Sequence, residues 1–353
     1  MSELEFKIRD KYSLGLKNEW LYLTNLSETT LFQNYSWQFS WFENIHKKIN
    51  INSLVIISIY YQKKIIGIIP FEKKKYFNFN ILTFTGIPFA DYCDCLIDVG
   101  FFKSNYKIKN KIHELLFNLE GIDLIMLDKI NENSHLCVLF DKHYLKKQNY
   151  NSYQLIKKVD NSQLIPKKFL SDTNRQSKRL KLIGKLSHKL AVSISEKEKV
   201  LKFFFINKKK QLIRTNSWNY LDNETYSNFL KKLFLSNDSH LSYLSLDDKI
   251  IAVHLGYVKN KKFTYLFPAY DREYSNFSPG NILLLEMINV FFRDQGKEFD
   301  FTTGNEPYKL RLANTKQEIF YKNISLNILF LKISLEKYFS LNFKFFFFKT
   351  NLK

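Results

Sequence analysis

The chain has little that could pin it covalently or break its backbone. Three cysteines, Cys93, Cys95 and Cys137, stand among 353 residues. That is too few for a disulfide framework, and the Cys93-x-Cys95 pair has neither a second such pair nor an adjacent histidine to complete a zinc site, so no metal site is expected. Such cysteine usage fits a reducing compartment. Six prolines and ten glycines exclude collagen-like, proline-rich and glycine-linker architectures. The opening MSELEFKIRDKYSLG lacks the apolar core of a secretory signal. No run reaches the roughly 18 uncharged apolar residues of a membrane span, and Lys332 and Lys344 interrupt the greasiest region. A cytoplasmic chain is expected, with at most peripheral contact to the inner face of a membrane through its Phe- and Lys-rich tail.

What is present is apolar bulk and positive charge. Hydrophobic residues make up 45%, including 34 Phe and 21 Tyr, and the length suits two ordinary domains. The net charge of +20 is spread through nearly every segment, with no helix-turn-helix or zinc-finger fingerprint, so compositional bias explains most of it. The alternative is a functional basic surface facing phosphate-rich ligands, RNA or an anionic membrane. The charge is densest from Asp160 to Gly184, with Lys167, Lys168, Arg175, Lys178, Arg179 and Lys181. If Ser171 to Leu182 is helical, Arg175 and Arg179 share a face, as a solvated linker or as a bidentate clamp for a phosphate.

The order of elements repeats. Leu16–Leu26 and Ser36–His46 read as helices, the second with Trp37, Trp41 and Ile45 on one face. Strands come next at Leu54–Tyr61 and Lys64–Phe71, joined at Gln62-Lys63, with Pro70 ending the second. Ile81–Phe84 then runs into the Gly86-Ile87-Pro88 loop, Cys95–Ile97 returns to strand, Asn105–Phe117 reads as helix and Ile122–Leu127 as a buried strand. In the second half, helices at Lys197–Lys209 and Asn223–Phe234 precede a meander of Leu241–Leu246, Lys249–Val258 and Lys262–Phe267. The pattern predicts a mixed α/β chain built by degenerate duplication: a domain at 1–158, a basic connector at 159–185 and a second domain at 186–353. The tail LNILFLKISL reads as a last sheet strand or a packing helix.

The most varied chemistry lies between Tyr265 and Lys309. Ser278 is a favourable helix N-cap, Pro279 suits the first helical position, and Gly280 keeps bulk from the first turn. The apolar run from Ile282 to Phe292 predicts a buried helix that Gly296 can end in a left-handed conformation. Its start, with Asn281, would offer free amides and a positive dipole to a phosphate. Glu298-Phe-Asp-Phe-Thr302 alternates as a half-buried strand and delivers Asp300 to the polar loop that holds Glu306, Tyr308 and Lys309.

Leu31-Phe32-Gln33-x-x-x-Trp37 with Trp41, Ile68-Ile69-Pro70, Arg175-x-x-x-Arg179-Leu180, Ser278-Pro-Gly-x-x-Leu283-Leu284 and Glu298-Phe-Asp-Phe-x-x-Gly304-x-Glu306-Pro-Tyr-Lys309 together resemble the CelD or BioF2-like branch of the GNAT acyltransferases. That branch is similar to the Fem-type aminoacyltransferases, which carry two GNAT-like domains in tandem. The resemblance spans about residues 16 to 325 and implies tandem GNAT-like domains, each a mixed central sheet flanked by helices. It implies acyl transfer to an amine from acyl-CoA, or from aminoacyl-tRNA in the Fem relatives, without a metal, the alternative being a non-enzymatic GNAT-derived binding protein in polysaccharide assembly. The amine would belong to a small molecule such as a sugar or envelope precursor, free or lipid-linked. Ser278, Pro279, Gly280 and Asn281 would then face the donor pyrophosphate, with Arg175 and Arg179 as a further clamp. The glycine-rich loop of ordinary GNAT enzymes is replaced by Asp271-Arg-Glu-Tyr-Ser-Asn-Phe277, which leaves the donor open.

An attacking amine must lose a proton, and negative charge then develops on the carbonyl oxygen. Asp300 and Glu306 are the base candidates, with Asp91 next. His254 has the right chemistry but alternates with apolar neighbours as a core residue would. Lys309 could neutralise phosphate or oxyanion charge, and Tyr308 or Tyr270 could protonate the leaving thiolate. No Ser/Cys-His-Asp set is visible, so direct attack is expected over a covalent acyl-enzyme.

Overall fold

Gln62 and Lys63 both adopt left-handed backbone, and so do Asn260 and Lys261. Two consecutive positive φ angles give the mirror-image turn whose twist matches that of antiparallel strands, so each pair closes a tight hairpin. The hairpins belong to two compact units, Met1–Asn149 with Glu318–Lys353, and Tyr150–Gln317. The computed structural model describes residues 4–326 apart from 27, 48–51, 77, 141 and 158–163.

The first unit runs β1 (Leu4–Arg9), α1 (Leu14–Leu26), α2 (Tyr35–Trp41) with a π-helical continuation Phe42–His46, β2 (Asn52–Tyr61), β3 (Lys64–Tyr76) and β4 (Phe79–Phe84). It continues with β5 (Leu96–Ile97), α3 (Val99–Ser104), α4 (Tyr106–Phe117), β6 (Leu124–Asn131) and α5 (Leu136–Leu139). Strand β7 (Lys146–Ile156) leads into the second unit, and the outer part of the last strand belongs to the first. The order in this unit is β1-β2-β3-β4-β6 and then that last strand, with β5 on β3. All pairs are antiparallel except β4 with β6. Trp37, Trp41 and Ile45 are buried, as helical spacing predicts, with Phe32 packed edge-on against Trp37, and Trp20 of α1 is buried as well.

Pro70 does not end its strand. It lies inside β3 opposite Ile56, while β4 pairs with β3 only from Phe71 onward. No ladder donor is therefore demanded on that side, and the Pro70 carbonyl accepts from Thr85 N–H at 3.0 Å and Thr85 Oγ1 at 3.2 Å.

The second unit runs α6 (Lys167–Lys181), β8 (Leu186–Leu190), α7 (Ile194–Arg214), α8 (Glu224–Phe234), β9 (Ser239–Leu246), β10 (Lys249–Lys259) and β11 (Lys262–Tyr270). Then come α9 (Pro279–Arg293), β12 (Glu298–Thr303) and α10 (Pro307–Leu312), after which the chain passes into β13 (Thr315–Ser325), which belongs to the first unit from Glu318 onward. The order is β7-β12-β11-β10-β9-β8, with only β11 and β12 parallel. The basic stretch is thus helix α6 of the second unit rather than a free connector. The chain's last described strand, β13, pairs with β6. The tail beyond Leu326, including most of LNILFLKISL, lies outside the described residues.

Helix α9 is the keystone of this unit. Ile282, Leu283, Leu284, Leu285, Met287, Ile288, Phe291 and Phe292 are all buried, and each large apolar side chain contributes roughly 1.5–3 kcal/mol of burial. Phe291 meets Phe263 and Phe299, which stack on each other with centroids 4.4 Å apart. Two expectations are corrected here. Gln295, not Gly296, takes the left-handed conformation after the helix; Gly296 is small because a Cβ there would lie 2.4 Å from the Phe291 ring. Strand β12 is not half-buried, because Asp300 and Thr302 are covered as fully as Phe299 and Phe301.

Candidate functional site

The parallel pairing of β11 with β12 is short: Lys262 with Glu298, Phe263 with Phe299, and Thr264 with Asp300. Beyond these residues β11 continues to Tyr270 and β12 to Thr303 without pairing to each other. The strands part at their carboxyl ends, which is where open α/β sheets receive ligands. Thr302 turns left-handed, with its N–H on Asp300 Oδ1 at 2.8 Å. On the other strand the register jumps from Leu255–Phe267 to Gly256–Tyr265, leaving Leu266 as a bulge.

His254 holds that bulge. Its Nε2 accepts the Leu266 N–H at 3.1 Å, and its ring stacks on Tyr265 with centroids 4.0 Å apart. Burial first, then the neighbouring His240, drives its proton affinity well below the usual histidine range. The ring is neutral with the hydrogen on Nδ1, and its lone pair is engaged by the backbone. His254 therefore acts as a structural clamp under the crevice.

Helix α9 opens directly after β11, by way of a 3-10 turn over Arg272–Phe277. Ser278 does not cap it: the turn closes with Ser278 N–H on Ser275 O at 3.0 Å and throws Ser278 left-handed, and its side chain makes no capping bond. The Ser278 carbonyl instead accepts from Asn281 and Ile282 N–H at 3.0 and 3.2 Å. Pro279 has no donor, so the free amide of this first turn is that of Gly280. A Cβ placed at Gly280 would meet only Tyr270 Cδ1, at 3.8 Å, so the helix start is not plugged. Arg179 of α6 lies 5.0 Å from the Phe277 ring centroid and keeps Gln176 Oε1 at 2.8 Å. The structure thus brings Arg179 to the α9 start. Arg175 is exposed and meets Asp172 at 3.4 Å.

On the β12 side, Lys309 is buried with its ammonium 2.5 Å from Thr303 O and 3.0 Å from Glu306 Oε2. It pins the loop and faces no solvent. Glu306 is exposed at the start of α10, its carboxylate folded over Gly304, whose φ is +119°. Tyr308 packs against Tyr265 and Phe301. Asp300 lies at the paired end of the strands, 3.4 Å from Lys262 Nζ, which also holds Glu298 at 2.7 Å. Asp91 belongs to the first unit, 3.7 Å from Lys129 Nζ. Among the described residues no group of three or more His, Cys, Asp or Glu could hold a metal ion.

Lys208 escaped the sequence reading. Its Nζ donates to Pro268 O of β11 at 3.3 Å, and Glu306 of the loop after β12 acts on it electrostatically. Burial pushes its pKa down to about 8, against a smaller upward pull from Glu306. The run Lys208-Lys-Lys210 looks like a solvated face, but Val200, Phe204, Lys208 and Leu212 recur at spacing four, and the three apolar members are buried. That stripe was the available signal.

Residues 167–310 match the family model described as an acetyltransferase (GNAT) domain. Among solved structures, the chain is similar to FemX (11% identity, TM-score 0.61, covering 93% of this chain and 99% of that one). It is also similar to a tandem GNAT protein from the clavulanic acid biosynthesis pathway (10%, 0.52, 92% and 99%) and to L-PGS from Bacillus licheniformis (8%, 0.54, 92% and 95%). No curated protein matches by sequence. The two units have the fold of tandem GNAT proteins, and residues 167–310, within the second, match the GNAT domain model.

Proposed function

We propose that this GNAT-superfamily acyltransferase moves an acyl group from acyl-CoA to the amine of a small sugar or envelope precursor, by direct attack and on the cytoplasmic side. Within the superfamily we place it in the CelD or BioF2-like branch, on the motifs around Ser278 and Glu306. The observation that carries the donor assignment is the unplugged α9 start: the Gly280 amide, open space at its Cα, and Arg179 against the ring of Phe277. Together they suit a pyrophosphate, which a helix dipole and a bidentate guanidinium both favour. The thioester would lie where β11 and β12 part. There Glu306 is the exposed carboxylate able to take the amine's proton, and Tyr308 or Tyr270 a hydroxyl able to return one to the thiolate. Lys309 serves as a positioning residue that holds Glu306.

Calorimetric titration with CoA tests this reading. Saturable binding is expected, weakened about tenfold by Arg179→Ala, the loss of one charge-assisted phosphate contact. Heat-silent titration of the wild-type chain would remove the donor assignment. A second reading uses aminoacyl-tRNA, and the observation favouring it is the exposed cationic face of α6, with Arg175, Lys178 and Lys181 in solvent. Filter binding of charged tRNA with a steep salt dependence would support it over acyl-CoA. Among the described residues no helix is long and apolar enough to cross a membrane.

A further inference from the structure

We propose that Lys208 is itself a covalent acyl-acceptor site, modified by the donor when no amine substrate occupies the crevice. The inference rests on the acyl-CoA reading and on where the amine sits. Strands β11 and β12 cease to pair after Thr264 and Asp300. Lys208 reaches from α7 to β11 beyond that point, donating to Pro268 O at 3.3 Å, and Glu306, in the loop after β12, acts on it electrostatically. Its neighbours on the helix are placed differently: Lys209 pairs with Asp222 at 2.5 Å, and Lys210 is exposed.

An amine must be unprotonated to attack. Burial lowers the proton affinity of Lys208 to a pKa of about 8, and the charged group that opposes this from the facing elements is Glu306; β11 contributes the neutral Pro268 carbonyl. Near neutral pH its free-amine fraction exceeds that of an ordinary lysine by on the order of a hundredfold. The step balances without a further reactant. The amine nitrogen bonds to the acyl carbon, the carbon–sulfur bond breaks, and the thiolate takes the proton the nitrogen sheds. The products are an amide on Lys208 and CoA thiol.

The test incubates the full chain with acetyl-CoA alone across neutral to mildly alkaline pH and follows acetylation by peptide mass spectrometry, with Lys209 and Lys210 as internal controls. Lys208 should acetylate at least tenfold faster than either control, with a rate that rises through pH 8. Glu306→Gln should raise the rate at neutral pH by removing the carboxylate that favours the ammonium. Arg179→Ala should slow Lys208 without slowing Lys209. If CoA binds yet Lys208 gains acetyl no faster than its two neighbours, the inference is overturned and the donor reading stands. If CoA does not bind, the donor reading itself falls.

Discussion

The two units use one strand plan and finish it differently. In the first, β4 pairs in parallel with β6 over Ile81–Thr83 against Leu124–Met126; in the second, β11 pairs with β12 over Lys262–Thr264 against Glu298–Asp300. Each returning strand then turns left-handed, at Lys129 and at Thr302, with that residue's N–H donated to an aspartate carboxylate one residue earlier (Asp128) or two residues earlier (Asp300). The outgoing strands continue in different ways. After β4 the chain folds the Gly86–Tyr92 loop into its own core, with Phe89, Ala90 and Tyr92 buried and Lys129 donating to Pro88 O and Ala90 O at 2.9 and 2.6 Å. After β11 it enters helix α9, whose start is open. The same strand plan can therefore be filled or left open, depending on the connection that leaves its parallel strand.

The sharpest break should come at Glu72. It is fully buried, bound by Lys74 Nζ at 2.9 Å and Trp41 Nε1 at 3.1 Å, and Lys74 reaches Ile87 O at 3.4 Å. Glu72→Ala strands a covered ammonium beside the filling loop and should destabilise the protein by about 3–5 kcal/mol in urea denaturation. A loss under about 1 kcal/mol would show that the loop does not depend on this pair.

Acid should act on the second unit next. Burial, then His188, lowers His240 to about 4, and burial also lowers His254. Groups with depressed folded pKa values, neutral when folded, contribute stability above the unfolded value near 6.5. That stability is lost as pH falls from there toward 4, by up to roughly 3 kcal/mol for His240. Denaturation midpoints should fall over that window. His240→Asn should flatten the profile, and an unchanged profile would show that the ring is not held neutral.

Two glycines sharpen the contrast. Gly86 has φ +91° and its Cβ would lie 3.3 Å from Trp37 Nε1, whereas a Cβ at Gly280 has room. Gly86→Ala should cost about 1–3 kcal/mol, and Gly280→Ala within about 0.5. Gly280→Phe should instead abolish CoA binding in calorimetry while the fold survives; retained binding would place the donor elsewhere. The smallest effect belongs to Arg175→Ala, whose exposed pairing with Asp172 predicts under about 0.5 kcal/mol in melting and unaltered CoA affinity. An affinity loss equal to that of Arg179→Ala would mean both arginines reach the phosphate.

Periodicity and punctuation in the chain determined most of the elements: the two helices ahead of β2, the strands β2, β3 and β4, the meander of β9, β10 and β11, the buried helix after Pro279 and the strand through Phe301. They did so because apolar spacing and turn residues act locally. The same local signals misplaced Pro70, Ser278 and Gly296, where the deciding contact came from another strand, a preceding 3-10 turn and the Phe291 ring. The polar residues near Glu306 stood out by composition, but which of them faces the crevice did not. Lys309 is turned inward by Thr303 and Glu306, Asp300 is drawn to Lys262, and Lys208, far off in the chain, is brought to β11 by α7. A side chain's chemistry is written in its residue type. Its burial, partners and proton affinity depend on groups that only folding brings beside it.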